Sequence, residues 1–275
     1  MPEGDAVWRT ARRLDAALSG HVLLRADLRV PAFATIDLAG REVLATVSRG
    51  KHLLTRLGPR EGAQDGVAST ALTLHTHLRM EGSWRIVAPD QRWPGPAADV
   101  RAVLEVPGHV AVGLRLGVVE VVATDDEHEV VGHLGPDLLG PDWDPDEALR
   151  RLTADPARPV GEALADQRVL AGLGTIWLAE LLFLRGVDPY RPVGEVDGPA
   201  RLVALAHRLL VSGRDTGRMV TTGDPRPGRA LYVYDRAGRP CRRCGTSVLT
   251  GRQGPPPQDR VRFWCPTCQP PSRVS

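Results

Sequence analysis

Cys241-Arg-Arg-Cys244 and, after an interval of 20 residues, Cys265-Pro-Thr-Cys268 are the stretches from which the rest of this chain can be read. They hold all 4 cysteines of the 275-residue sequence. Two C-x-x-C knuckles at this separation present four thiolates from two tight turns, which suits one tetrahedral Zn²⁺. Two disulfides are the alternative, disfavoured by the two-residue spacings and by the reading of the chain as cytosolic. With Cys241, Cys244, Cys265 and Cys268 all bound, no position remains for water, so the expected ion is structural rather than catalytic. An ion of that kind contributes on the order of 10–16 kcal/mol of apparent binding free energy, enough to fold a small unit poor in apolar residues. In and between the knuckles lie Arg242, Arg243, Arg252, Arg260 and Arg262, opposed by Asp259 alone. A pinned hairpin carrying arginines suits phosphate contact.

Moving outward, the basic character spreads over the C-terminal part. From Arg201 to Ser275 there are 14 Arg against 4 acidic residues, whereas the first 200 residues carry 21 basic and 29 acidic ones. The asymmetry points to a polyanion engaged by the basic part, or to a solvated basic face. Of the 35 basic residues, 34 are Arg and one, Lys51, is Lys. Where either cation would serve, Arg has replaced Lys, so the survivor in Ser48-Arg49-Gly50-Lys51-His52 either marks a place that needs a compact ammonium able to lose its proton or is a chance survivor. Hydrophobic residues make up 42% of the chain, which is ordinary for a globular protein, and no apolar run is long enough to span a membrane. The N-terminus carries Glu3 and Asp5 and no apolar segment, so no signal peptide is read there and a cytoplasmic, nucleoid-associated protein is expected.

Residues 5–20 read as a helix: Val7, Ala11, Leu14 and Leu18 share a face and Gly20 stops it. Strands are expected over 21–30, 41–47, 52–57, 71–78, 84–87, 101–106 and 110–123, the pattern of a β-sandwich or barrel. The acidic run Asp125–Glu129 reads as a solvated linker. Beyond it the character is helical, with helices expected over 145–152, 160–168, 175–184 and 198–211 and a Gly/Arg/Pro-rich loop over 213–230. The fold class is therefore α+β and multidomain: an N-terminal helix and β-sandwich at 1–124, a helical domain at 125–235, and a zinc-finger β-hairpin at 236–275.

Pro2 follows the initiator Met, which is normally trimmed before a small residue. The exposed secondary amine could attack an aldehyde-type carbon and form an iminium, an electron sink that permits β-elimination. Glu3 beside it could donate a proton to an opening sugar oxygen. Read alone, Met-Pro-Glu is also simply a common start. His75 and His77 share a strand face and could bind metal, but read better as core or groove histidines. Trp8, Trp84 and Trp177 read as packing residues, and Gly172-x-Gly174 lacks the third glycine and preceding strand of a dinucleotide site.

Together these residues resemble one family. Met-Pro-Glu-Gly-Asp5, Ser-Arg-Gly-Lys51-His-Leu-Leu, His77-Leu-Arg-Met-Glu-Gly82, Gln167-Arg-Val-Leu-Ala-Gly-Leu-Gly174 and the cysteine hairpin with Arg260 and Gln269 match the Fpg/Nei (formamidopyrimidine-DNA glycosylase and endonuclease VIII) family in order, with the opening closer to the endonuclease VIII branch. The resemblance implies that Pro2 is the nucleophile at C1′ of a damaged nucleotide, Glu3 the general acid, and Lys51 a phosphate contact that assists catalysis. It implies DNA contacts from Arg260 at the finger, from Gly174 and Thr175 in a helix–two-turn–helix element, and from Arg79 and Met80 in a loop filling the gap left by a flipped nucleotide. Three positions depart from the pattern: Thr175 stands where Asn is usual, residue 5 is Asp, and Gly254-Pro-Pro-Pro257 occupies the finger. The expected protein is a monomeric bifunctional glycosylase and AP lyase acting on damaged DNA without a nucleotide cofactor. Oxidised pyrimidines are the favoured lesions, oxidised purines the second choice, and a non-catalytic damage-binding zinc-ribbon protein the rival.

Overall fold

Helix α1 (Gly4–Leu18) turns one stripe inward, with Val7, Ala11, Leu14, Ala17 and Leu18 all buried. The computed structural model describes residues 2–60, 62, 69–256 and 259–271. Contacts divide the chain into two units, Met1–His133 and Leu134–Ser275.

The first unit carries eight strands: β1 (Arg25–Leu28), β2 (Arg41–Arg49), β3 (His52–Arg60), β4 (Leu72–His77), β5 (Ser83–Val87), β6 (Val100–Val106), β7 (His109–Leu114) and β8 (Val118–Ala123). They form two antiparallel four-stranded sheets, ordered β1-β6-β7-β5 and β2-β3-β4-β8. Leu28, Leu104 and Ala111 of one sheet join Val43, Leu53, Leu74 and Val119 of the other in a single core with the α1 stripe. Period-two alternation along each strand places one face of the residues there. Trp84 reaches that core and donates its indole N–H to the Thr76 hydroxyl at 3.3 Å. The strand expected over 110–123 is two strands. Arg115 adopts a left-handed φ of 47° between them, and Gly117 follows in the same turn.

The acidic run is exposed as expected at Asp125, Asp126, His128 and Glu129, but Glu127 is not part of a solvated linker. A short helix, α2 (Glu127–Val131), begins within it. Both Glu127 oxygens accept from Arg56, at 2.8 Å each, and Oε1 also accepts from the Thr73 hydroxyl at 2.7 Å. The carboxylate thereby ties α2 to β3 and β4.

In the second unit Asp144 caps α3 (Pro145–Leu152), accepting from the amides of Asp146 and Glu147. After α4 (Val160–Ala165) comes α5 (Thr175–Arg185), apolar on nearly every side and closed by Gly186 at φ 67°. Helix α6 (Pro199–Thr216) runs through Gly213, where the sequence pattern suggests a stop, and ends at Gly217 instead. The strands β9 (Leu249–Gln253) and β10 (Arg260–Trp264) pair as an antiparallel hairpin. Ala179 and Phe183 of α5 share a small core with Val233, Cys241, Val248 and Cys265, so helix and hairpin are packed as one body within this unit. Among the described residues no helix is long and apolar enough to cross a membrane.

Glu127 offers a test of how α2 is held. Burial works to raise its carboxyl, but the Arg56 and Thr73 hydrogen bonds outweigh it and hold the group below its ordinary 4.5. A depressed folded value means stability that is complete above the ordinary carboxylate range and lost as pH falls through the folded value. Glu127→Gln is expected to cost about 1–2 kcal/mol at pH 7 in urea melts, a figure discounted for the part-exposed guanidinium. The gap to wild type should shrink as pH falls below about 4. An undiminished gap in acid would mean that Glu127 acts by shape and not by charge.

Candidate functional site

Glu3 occupies the N-cap position of α1 in extended conformation, and its side chain has 0% exposure. Its carbonyl accepts the Val7 amide at 2.9 Å, so helix and residue are one rigid piece. Pro2 lies half-buried just ahead of it; Met1 is outside the described residues. The start of α1 is the positive end of its dipole, where a carboxyl group is well placed. Asp5, one of the departures, is buried and pairs with Arg9 one turn on at 3.3 Å.

Lys51 sits in the two-residue turn between β2 and β3, with Gly50 at φ 58°. Only a residue without Cβ adopts that conformation cheaply, and it aims the turn residue after it. The register then sets His52 opposite His77, with His75 diagonal to it and Glu120 opposite His75. The His52 and His75 rings stack at 5.0 Å, and those of His52 and His77 meet edge-on at 4.9 Å. His133 closes the group, its ring 6.2 Å from that of His52. Burial, joined by the charges of Arg79 and Lys51 and by His75, pushes His77 down to about 4. Burial and the surrounding imidazoles, with Arg79, push His52 down to about 3. The His52 and His77 rings are therefore neutral at pH 7.

After β4 the chain enters the Leu78–Gly82 loop. Arg79 is held at a left-handed φ of 51°, with its amide donating to His77 Nδ1 at 2.9 Å. A non-glycine residue in that region is strained and needs support. Part of the support is Gly117, where a Cβ would fall 2.1 Å from Arg79 Cγ, so the stem of Arg79 occupies the space that a side chain would take. Gly82 closes the loop through its amide to the Leu78 carbonyl at 2.8 Å. Met80 stands out at 61% exposure, high for so apolar a side chain.

In the second unit the Gln167 side chain clamps the turn before α5: its Nε2 donates to the Leu173 carbonyl at 2.9 Å and its Oε1 accepts the Gly172 amide at 3.0 Å. Gly172, at φ 102°, lets the chain double back there. Gly174 is the N-cap of α5 and Thr175 its first residue, half-buried, at the positive end of the helix. The four cysteine sulfurs lie within 4.8 Å of one another, the one such metal-competent group among the described residues. Individual Sγ pairs stand 3.4 and 3.9 Å apart; tetrahedral zinc with bonds of ~2.3 Å needs sulfurs ~3.8 Å apart. The Thr246 hydroxyl and amide draw the Cys244 thiol down to about 6, while burial and the neighbouring thiols push Cys268 up to about 12.

The hairpin arginines divide by role. Arg262 is buried, with Nε donating to Gln253 and Nη2 to the Gly161 carbonyl. Arg243 lies 4.4 Å over the Phe183 ring, Arg242 donates to the Leu231 carbonyl at 3.0 Å, and Arg252 is paired with Asp259. These four are committed to the fold rather than offered as a phosphate array. Arg260 is exposed at the start of β10. Pro257 lies outside the described residues, so only Gly254–Pro256 of the Pro-rich stretch can be placed, in a turn after β9.

Within the first unit, then, Lys51 and Arg79 meet at the histidine group. Sequence reading singled out His75 and His77 but missed His52, His133, Glu120 and the anchoring role of Glu127. The signal for His52 was its place beside Lys51 at a strand start. Nothing local marked Glu120 or His133, which arrive through register and chain return.

Gly117→Ala should force the Arg79 stem aside, at a cost of about 1–3 kcal/mol in urea unfolding. A loss under roughly 0.5 kcal/mol, the level of an ordinary surface change, would show that Arg79 is free to move.

Residues 1–133 match the family described as Formamidopyrimidine-DNA glycosylase N-terminal domain. The chain is 54% identical over 272 residues to a probable endonuclease 8 2 of Streptomyces coelicolor, covering 98% of this chain and 94% of that one. It is 46% identical to the DNA-(apurinic or apyrimidinic site) lyase Nei2 of Mycolicibacterium smegmatis, over 98% and 99% of the two chains. Among solved structures it resembles the Lactococcus lactis Fpg in complex with abasic-site DNA, with TM-score 0.77 and 20% identity over 98% of this chain and 100% of that one.

Proposed function

Since the chain belongs to the Fpg/Nei family of DNA glycosylases, we propose that it is a base-excision-repair enzyme, a glycosylase and AP lyase that removes oxidised bases and nicks the strand. The single observation that carries the proposal is Glu3, a fully buried carboxylate fixed at the positive mouth of α1 directly beside Pro2. A buried charge is expensive to maintain for structure alone, and this one stands beside the one secondary amine the chain can offer.

With Met1 removed, the Pro2 nitrogen attacks C1′ of a flipped nucleotide. The C1′–N bond breaks, its electron pair leaves with the base, and the base takes up a proton. The Glu3 carboxylate takes the proton that the Pro2 N–H gives up on attack and returns it to the ring oxygen as the C1′–O4′ bond opens, while the Pro2 lone pair forms the iminium. That cation acidifies C2′; loss of its proton expels the 3′ phosphate, and a second elimination expels the 5′ phosphate. Water then releases Pro2. Lys51, an ammonium among neutral rings, contacts phosphate near the sugar, and Arg79 and Met80 fill the gap in the duplex. Arg260, Gly174 and Thr175 grip the backbone. Thr175 offers a hydroxyl where the family pattern has a two-donor amide, so phosphate binding there is weaker than with Asn. The four cysteines hold one Zn²⁺, whose contribution is to brace the hairpin. The enzyme works as a monomer without a nucleotide cofactor, and the endonuclease VIII-like opening Pro2-Glu3-Gly4 supports oxidised pyrimidines as its substrates, as the family resemblance implies.

Borohydride reduction during incubation with abasic-site DNA should convert the iminium into a stable covalent adduct. Pro2→Thr should form none; an adduct from Pro2→Thr, or retained Met1 in fully active protein, would remove Pro2 as the nucleophile. For Arg260→Ala, binding to lesion DNA should weaken and the slope of log affinity against log salt should flatten by about 1. An unchanged slope would take Arg260 out of the phosphate contacts.

A further inference from the structure

On the outward face of β3, β4 and β8, three side chains form a continuous hydrogen-bonded line. Glu120 Oε2 lies 3.1 Å from His75 Nδ1, and His75 Nε2 lies 2.8 Å from His52 Nδ1. Strand register puts them there: Glu120 is opposite His75, and His52 is one step diagonal on β3. The line runs from Glu120, 46% exposed, through His75, 4% exposed, to the residue that follows Lys51.

The donors and acceptors along it are determined. A carboxylate only accepts, so His75 Nδ1 carries the proton. Neutral His75 then has a lone pair at Nε2, so His52 Nδ1 donates to it and His52 Nε2 is left as an acceptor. His77 is fixed the other way, because its Nδ1 accepts the Arg79 amide and its proton must sit on Nε2. A proton added to both His52 and His75 would leave two N–H groups facing each other at 2.8 Å, so the line resists charging. The groups around His52 agree with this: His75 and His77 on β4, His133 after α2, Arg79 in the loop and Lys51 in the turn. Among the described residues Glu120 is the acidic group hydrogen-bonded to the line, and Glu127, also on this face, is engaged by Arg56 and Thr73.

We propose that Glu120, His75 and His52 are positioning residues that lock the Lys51 turn from behind and keep its neighbouring imidazoles neutral and in one tautomer. The line leaves Lys51 and Arg79 as the cations presented at this site. Packing alone would not need it, since an apolar trio of similar shape would stabilise this face as well; a directed chain of hydrogen bonds adds orientation. The inference rests on the reading of Lys51 as a group that contacts the DNA.

The test combines spectroscopy on the unaltered protein with three variants. Long-range ¹H–¹⁵N spectra of the full-length protein should show His52 and His75 as neutral Nδ1–H tautomers from pH 7 down to pH 5, and His77 as Nε2–H. A His52 in the Nε2–H form, or one that titrates above pH 6, overturns the line whatever the variants do. His75→Phe keeps a ring of similar shape without hydrogen bonds, and Glu120→Ala removes the terminal acceptor from a half-exposed site. In nicking of abasic-site DNA each should lower kcat, His75→Phe by about tenfold or more, with KM within about twofold, because small misplacements at a reacting centre can cost ~100-fold. Lys51→Ala is measured beside them. If it loses nicking while the other two, folded by circular dichroism, keep wild-type kcat, the inference fails and the reading of Lys51 stands. If Lys51→Ala nicks normally, that reading fails instead, and the positioning role goes with it.

Discussion

A carboxylate shut off from water three residues into the chain sets the terms for the N-terminal unit. Moving an ionised carboxyl into protein costs several kcal/mol unless something compensates. The start of α1 supplies part of that compensation through its aligned peptide dipoles, but only if the helix is held in place. Its hold comes from Val7, Ala11, Leu14 and Leu18 in the core shared by both sheets. The dependence therefore runs from sheet packing to helix, from helix to Glu3, and from Glu3 to the ground on which Pro2 stands. A cavity opened deep under α1 would reach Pro2 without touching it.

A second buried carboxylate organises the other unit by different means. Glu180 on α5 accepts the amides of Tyr232, Val233 and Tyr234 at 2.8–2.9 Å and the Thr221 hydroxyl, and its side chain has no exposure. Successive backbone donors are the strongest neutral partners available to a carboxylate. They fasten the segment leading to Cys241 onto the same helix that starts at Gly174. One helix thus carries a candidate phosphate-binding N-terminus at its head and, through Ala179 and Phe183, the core of the cysteine hairpin along its side.

What the sequence made legible was whatever depends on local pattern. The stripe of α1, the alternation of most strands, the Asp144 cap and the paired knuckles all follow from spacing or residue type. The resemblance to the Fpg/Nei family, carried by short motifs spread over the whole chain, is upheld by relatives 45–54% identical across it. Features made by register and return were not legible. Glu127 looks like one acid in an acidic run until β3 and β4 bring Arg56 and Thr73 to it. Glu120 looks like one exposed acid on a strand until β4 lays His75 opposite. The hairpin arginines look equivalent in sequence, and only packing separates the buried Arg262 from the exposed Arg260. The split at Arg115 was missed because a left-handed φ at a non-glycine residue leaves no compositional trace.

The lone lysine gains a physical reason from its surroundings. An Arg at position 51 would bring a broad, permanently charged plane into a turn beside four imidazoles and the strained Arg79. An ammonium on a flexible stem takes less room, donates in any direction, and can give up its proton if the chemistry asks for it. The rings of His52, His75 and His77 matter to the same end: each has its tautomer dictated by a partner, so they add no competing charge beside Lys51. The crowding of the histidine group thus gives a physical reason for a lysine at this one position.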